Sequence, residues 1–130
     1  MNPSTSAHKH ITIIGATSGI ASHCARLWAS GASRMTLVAR NLQALDDIAA
    51  DLKVRNPALQ IHCIAGEFMQ PEGIQSMVAS ISSEAPVDTV LIAHGNLPDQ
   101  SQCQQQLQQC ADAIRVNALS PVLVAEAFAA

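Results

Sequence analysis

The 130-residue chain contains no tyrosine, one tryptophan and two phenylalanines. With 48% of its residues hydrophobic, its core must be built from Ile, Leu, Val and Ala instead. Charge is scarce as well: 13% of residues are charged and the net charge is -3, so no basic stripe exists to neutralise phosphates along a duplex. That argues against nucleic acid as a partner, and the apolar content argues against a chain kept disordered by its charge. The four cysteines (Cys24, Cys63, Cys103 and Cys110) include no C-x-x-C pair, and the histidines do not group with them at zinc-ligand spacing. They read as reduced thiols, with no metal site. Met1 to His10 offers no apolar stretch to act as a signal peptide, so a cytoplasmic location is expected. No run approaches the ~18 apolar residues of a membrane span.

What is present alternates between two periods. Residues 1–10 form a polar tail in which His8 and His10 read as solvated. Ile11, Ile13 and Ile14 make a short β-branched run that stops at Gly15. From Ser18 to Ser30 the pattern turns helical, with Ile20, Cys24, Leu27 and Trp28 on one predicted face and Gly31 as a C-terminal glycine. Met35 to Ala39 is a second strand. Asn41 then caps a helix carrying Leu42, Leu45, Ile48, Ala49 and Leu52, which Asn56 and Pro57 end. Leu59 to Ala65 is a third strand with Gly66 behind it. Pro71 opens a helix whose inner face is Ile74, Met77, Val78 and Ile81, and Pro86 closes it. Thr89 to Ala93 is the fourth strand. The later part of the glutamine-rich segment Gln100–Gln109 begins a long helix through Ile114, Val116 and Leu119, with a kink expected at Pro121.

This order predicts an α/β fold: a doubly wound parallel sheet of the Rossmann type over residues 11–130, ending after the fourth strand and the helix that follows it. Its strongest chemical signal is the glycine turn. Gly15 directly follows the first strand, Gly19 stands at the helix start, and Ala21 comes two residues later. A dinucleotide site needs a tight turn, a place where backbone N–H groups approach pyrophosphate, and a small residue for close helix–strand packing. A P-loop is excluded, because no Lys-Ser or Lys-Thr follows the second glycine. The second signal is Arg40, just past Ala39 at the end of the second strand. An acid there would read a ribose 2′-hydroxyl, whereas an arginine accommodates a 2′-phosphate, which favours NADP(H) over NAD(H). A cation beside a helix N-terminus opposes the macrodipole by roughly 0.3–1 kcal/mol, so this placement wants a reason.

Four segments in order resemble the short-chain dehydrogenase/reductase family: Ile14 to Ala21, Val38 to Asn41, Val87 to Gly95, and Arg115 to Asn117. The resemblance implies cofactor contacts at Gly15, Ala16, Thr17, Ser18, Gly19, Ile20 and Arg40. It implies an adenine contact at Glu67 and Phe68, and a position beside the riboses for Ala93, His94 and Gly95. Asn117 matches the family's helix asparagine, which holds a water connecting to the catalytic lysine. A helix-kink or surface asparagine is the plainer reading of it. The sequence also departs from the pattern. Ile92, Ala93, His94 and Gly95 stand where the family commonly has Asn-Asn-Ala-Gly, so the strand end must be braced in another way. His94 reads as a structural histidine or as a functional imidazole at the cofactor edge.

In the family, a Tyr exchanges a proton with the substrate oxygen, a Lys four residues on supports it, and a Ser orients the carbonyl. This chain has no Tyr, and its lysines, Lys9 and Lys53, lie outside the expected site. The leading expectation is therefore the NADP(H)-binding amino-terminal part of an oxidoreductase acting on a small carbonyl or alcohol, with little turnover of its own. The competing expectations are a non-catalytic NADP(H)-binding or sensing module, and a subunit completed by a partner chain. A methyltransferase-type domain is disfavoured, because it would carry an acid near Ala39. By the strand order that the resemblance implies, the fourth strand would lie at an open sheet edge, so the chain is expected to self-associate. Light scattering at micromolar concentration checks this; a clean monomer would count against it.

Overall fold

The structure, a computed structural model, describes residues 9–130, so the expectations for most of the polar tail and for His8 lie outside the described residues. Four strands, β1 (His10–Ile14), β2 (Arg34–Ala39), β3 (Gln60–Ala65) and β4 (Thr89–Ile92), form one parallel sheet in the order β3-β2-β1-β4. The centre of the sheet is in register at Ile13, opposite Leu37 on one side and Leu91 on the other. Helices α1 (Gly19–Trp28) and α2 (Leu42–Arg55) cover one face over Ile11, Ile13, Met35 and Leu37. Helices α3 (Pro71–Glu84) and α6 (Ser120–Ala129) cover the other, over Ile14 and Val38. This is the expected doubly wound architecture, with β4 at an edge.

Two helices formed as their sequence periods dictate. In α3, Ile74, Met77, Val78 and Ile81 are all buried, and Pro71 occupies the first turn, where its missing N–H costs nothing. In α2, the Asn41 side chain accepts from the amides of Gln43 and Ala44, and Leu45 and Leu52 are buried.

Helix α1 differs from expectation. Ile20 and Leu27 are 76% and 65% exposed, whereas the buried face is Ala21, Ala25 and Ala29, with Trp28 packed at its margin. Small side chains at i, i+4 and i+8 let the helix lie close on β1 and β2. Bulk on that face would push it off. Gly31 lies in a 3-10 turn (Ala29–Gly31) that tightens the helix end, and its φ is not positive.

The carboxyl-terminal helix is also more segmented than its apolar pattern suggests. A short α4 (Gln100–Gln105) comes first, then α5 (Leu107–Ile114), a π-helical turn (Arg115–Leu119) and α6. Pro121 lacks an N–H and would crowd the carbonyl four residues before it. The ladder widens just ahead of it, where the Ser120 N–H bonds Arg115 O, five residues back.

His10 is a correction. It belongs to β1 and is 1% exposed, not solvated. Its Nδ1 donates to Ala85 O at 3.1 Å, which leaves Nε2 to accept from the Thr36 hydroxyl at 2.8 Å. Its backbone N–H donates to Asp88 at 2.8 Å. The imidazole thus ties β1 and β2 to the end of α3, and its burial holds its pKa below the ordinary histidine value.

Because unfolded His10 binds a proton more readily than folded His10, stability rises with pH across this window. We expect urea-unfolding midpoints to fall as pH drops through the ordinary value of 6.5, and part of that slope to vanish in His10→Gln. A pH-independent midpoint between 8 and 5.5 would contradict this role.

Candidate functional site

The sheet order reverses at β1: the chain runs outward from it to β2 and β3, then returns to β4 on its other side. Such a reversal opens a crevice at the carboxyl ends of the strands. The crevice here is a cleft of about 420 Å³, lined by the end of β2, the segments that follow all four strands, and Val116.

Its floor is the turn between β1 and α1. The amides of Gly15 and Ala16 both bond Val38 O, at 2.8 and 3.0 Å, which hooks the turn onto β2. Gly15 has φ +82°, and a Cβ there would sit 2.5 Å from the backbone nitrogen of His94. Only glycine combines that conformation with that approach. Ser18 caps α1 by accepting from the Ala21 amide at 3.2 Å, so the N-terminal, electropositive end of the helix opens beside the cleft.

Arg40 stands exposed at the mouth, between Ala39 and the Asn41 cap. Among the described residues, no carboxylate forms an ion pair with it. Across the cleft, Glu67 turns its carboxylate back to accept from the Met69 and Gln70 amides, each at 2.8 Å, and these bonds hold its pKa below the usual carboxylate range. Phe68 is buried, with its ring centroid 4.9 Å from that of His94.

His94 joins the end of β4 to two other parts of the chain. Its Nε2 lies 2.8 Å from the buried Ser120 hydroxyl, which in turn donates to the Phe68 carbonyl. Its Nδ1 is buried without a partner, an arrangement that costs about 1–3 kcal/mol. Burial and then the nearby charge of Arg40 hold the imidazole pKa below its ordinary value, so His94 is neutral at pH 7. The strand end that lacks the family's asparagines is therefore tied by an imidazole and a serine.

Asn117 lies in the π-helical turn behind this wall. Its Oδ1 accepts from the Asn96 amide at 2.8 Å, and its Nδ2 donates to Asn96 O at 2.9 Å and to Asn96 Oδ1 at 3.0 Å. A Cβ on Gly95 would come within 2.9 Å of that Oδ1, so the loop after β4 is clamped tightly.

Nine of the expected residues line the cleft: Gly15, Thr17, Ser18, Arg40, Glu67, Phe68, Ala93, His94 and Gly95. Ala16, Gly19, Ile20 and Asn117 do not. Ala39, Gly66, Met69, Asn96 and Val116 also line it and were not expected. Ala39 and Gly66 could have been found, because one ends β2 and the other directly follows β3, at strand ends that face the crevice. Asn96 and Val116 are brought in by the π-helical turn, which left no sequence signal.

The four cysteines are unpaired, and no grouping of His, Cys, Asp or Glu suited to a metal occurs among the described residues. None of the described helices is long and apolar enough to cross a membrane.

The family model described as short chain dehydrogenase matches residues 9–130. Among curated proteins, dehydrogenase/reductase SDR family member 7B of Bos taurus is 38% identical over 53 residues, which is 40% of this chain and 16% of that protein. Solved structures are similar over nearly the whole chain. A short-chain type dehydrogenase/reductase from Mycobacterium marinum superposes with a TM-score of 0.85 at 22% identity, covering 95% of this chain and 50% of that one. A citronellol catabolism dehydrogenase from Pseudomonas aeruginosa gives 0.77 at 22% identity, covering 98% and 52%. A variant of actinorhodin polyketide ketoreductase, solved with NADPH, gives 0.80 at 19% identity, covering 95% and 47%. The chain thus spans about half the length of the solved structures it matches.

The Gly15 approach yields a direct test. A positive φ alone costs a non-glycine residue about 1–3 kcal/mol, before His94 is displaced. Gly15→Ala should therefore lower stability by at least about 2 kcal/mol in chemical denaturation. An unchanged midpoint would mean that the β1–α1 turn does not press on β4.

Proposed function

The chain belongs to the short-chain dehydrogenase family, and on that premise we propose that its cleft holds NADP(H). It then serves as the cofactor-binding part of an oxidoreductase acting between a carbonyl and an alcohol. One observation carries the choice of nucleotide. Arg40 stands at the cleft mouth with no carboxylate partner among the described residues, and Ala39 ends β2 where an acid would read a 2′-hydroxyl.

The other residues fit that ligand in size and chemistry. The cleft volume suits part of a dinucleotide, and the start of α1, where a Cβ on Gly19 would meet no neighbour, leaves backbone open for pyrophosphate to approach. The turn Gly15, Ala16, Thr17, Ser18, Gly19 and Ile20 would hold the pyrophosphate against the start of α1. Arg40 would bind the 2′-phosphate, and Glu67 and Phe68 would flank the adenine. Ala93, His94 and Gly95 would stand beside the riboses. The bound nicotinamide supplies or accepts a hydride. Asn117 would contribute through its clamp on Asn96, which fixes the loop after β4.

The same cleft also suits a second reading, in which nucleotide is bound without turnover. In it, the chain is a nucleotide-binding module, or a subunit whose proton donor comes from a partner chain.

An Arg–phosphate contact adds roughly 1.5–3 kcal/mol, so the chain should bind NADPH about 10- to 100-fold more tightly than NADH. Arg40→Ala should erase most of that preference. Titrations followed by nicotinamide fluorescence check both statements; equal affinities, or no loss in the variant, would remove Arg40 from the site.

A further inference from the structure

At His94 the sequence places an imidazole where the family pattern commonly has an alanine, and the bonds around it have only one consistent direction. The Phe68 carbonyl can only accept, so the Ser120 hydroxyl spends its single proton there. The Ser120 oxygen is left facing His94 Nε2, 2.8 Å away, with lone pairs alone, and that ring nitrogen must donate. Neutral His94 is thereby fixed as the Nε2–H tautomer, and its buried Nδ1 becomes an acceptor without a donor.

This relay joins three segments that are far apart in sequence: the end of β4, the first residue of α6, and the loop between β3 and α3. The loop has no regular structure of its own. It is held from one side by the Glu67 carboxylate on the Met69 and Gln70 amides, and from the other by Ser120 on the Phe68 carbonyl. Ser120 reaches that carbonyl because the π-helical turn delivers it inward, 1% exposed, while Leu119 beside it is 48% exposed. The His94 ring also packs on the Phe68 ring, so the same residue supports the wall by contact and by hydrogen bond.

Building on the NADP(H) reading above, we infer that His94 and Ser120 are positioning residues for the adenine end of the cleft, where the His94-braced Ser120 hydroxyl fixes the Glu67–Phe68 wall. The imidazole N–H braces the Ser120 oxygen, and the hydroxyl sets the height of the wall. Both act through the one hydroxyl, so the double variant should lose less than the sum of the single losses.

The test separates the two halves of the nucleotide. The chain and its His94→Ala, Ser120→Ala and doubly substituted forms are titrated with adenosine 2′,5′-bisphosphate and with reduced nicotinamide mononucleotide. Each single variant is expected to lose about tenfold in affinity for the adenosine fragment, the double variant less than the two losses combined, and the nicotinamide fragment nothing. Equal losses on both fragments, additive losses in the double variant, or no loss would overturn the inference while leaving the nucleotide reading intact. Failure of the unsubstituted chain to bind either fragment would overturn both. Nitrogen-15 spectra of the His94 ring give an independent check: the Nε2–H tautomer is expected, and the Nδ1–H tautomer would sink the relay.

Discussion

The whole cleft depends on one steric fact: the turn after β1 passes so close to the end of β4 that residue 15 can have no side chain. Its amide and that of Ala16 bond Val38 O on β2, and the Ala93 amide bonds Ile14 O on β1. These bonds bring the carboxyl ends of three strands together at one point. From there the remaining features follow. Helix α1 starts close above the floor, and it stays close because its inner face is alanine. Arg40 emerges from β2 on one rim, and the His94 side chain rises from the end of β4 on the other.

Two imidazoles, one near each end of the sheet, show how burial separates scaffold from site. His10 has both ring nitrogens satisfied, one donating to Ala85 O and the other accepting from Thr36. It is a fully connected polar group, which fixes the packing of β1, β2 and the end of α3. His94 has one nitrogen committed to Ser120 and the other buried without a partner. A chain that tolerates an unpaired acceptor at the edge of its principal cleft spends stability where a ligand is to be positioned. Both imidazoles are kept neutral chiefly by burial, which makes the fold sensitive to acid at its two ends together.

Much of this was legible in the sequence wherever one period or one turn carried the information. The α3 face, the Asn41 cap, the Gly15 turn and the alternation of strand and helix are local patterns, and each is present as read. The misread elements share a cause: the deciding contact was remote. Ile20 and Leu27 look like a core face, yet the proximity of α1 to the sheet selects Ala21, Ala25 and Ala29. His10 reads as part of a polar tail until Thr36 and Ala85 are brought beside it. The π-helical turn follows from Pro121, but nothing in the residue pattern says where the extra residue is inserted. For the same reason, Asn96 and Val116 were invisible as cleft residues. His94 was visible as a departure, and its role was not, because Phe68 and Ser120 lie 26 residues away from it on either side in the chain.

The central claim is that the carboxyl-end cleft takes a nicotinamide dinucleotide, and backbone amide spectra during an NADPH titration test it most directly. The account predicts saturable shifts concentrated at Gly15, Thr17, Ser18, Arg40, Gly66, Gly95 and Asn96. Amides of the groove between α1 and α2, around Ser22 and Asp47, should stay in place. Shifts that are absent at the cleft, or that gather in that groove instead, would contradict it.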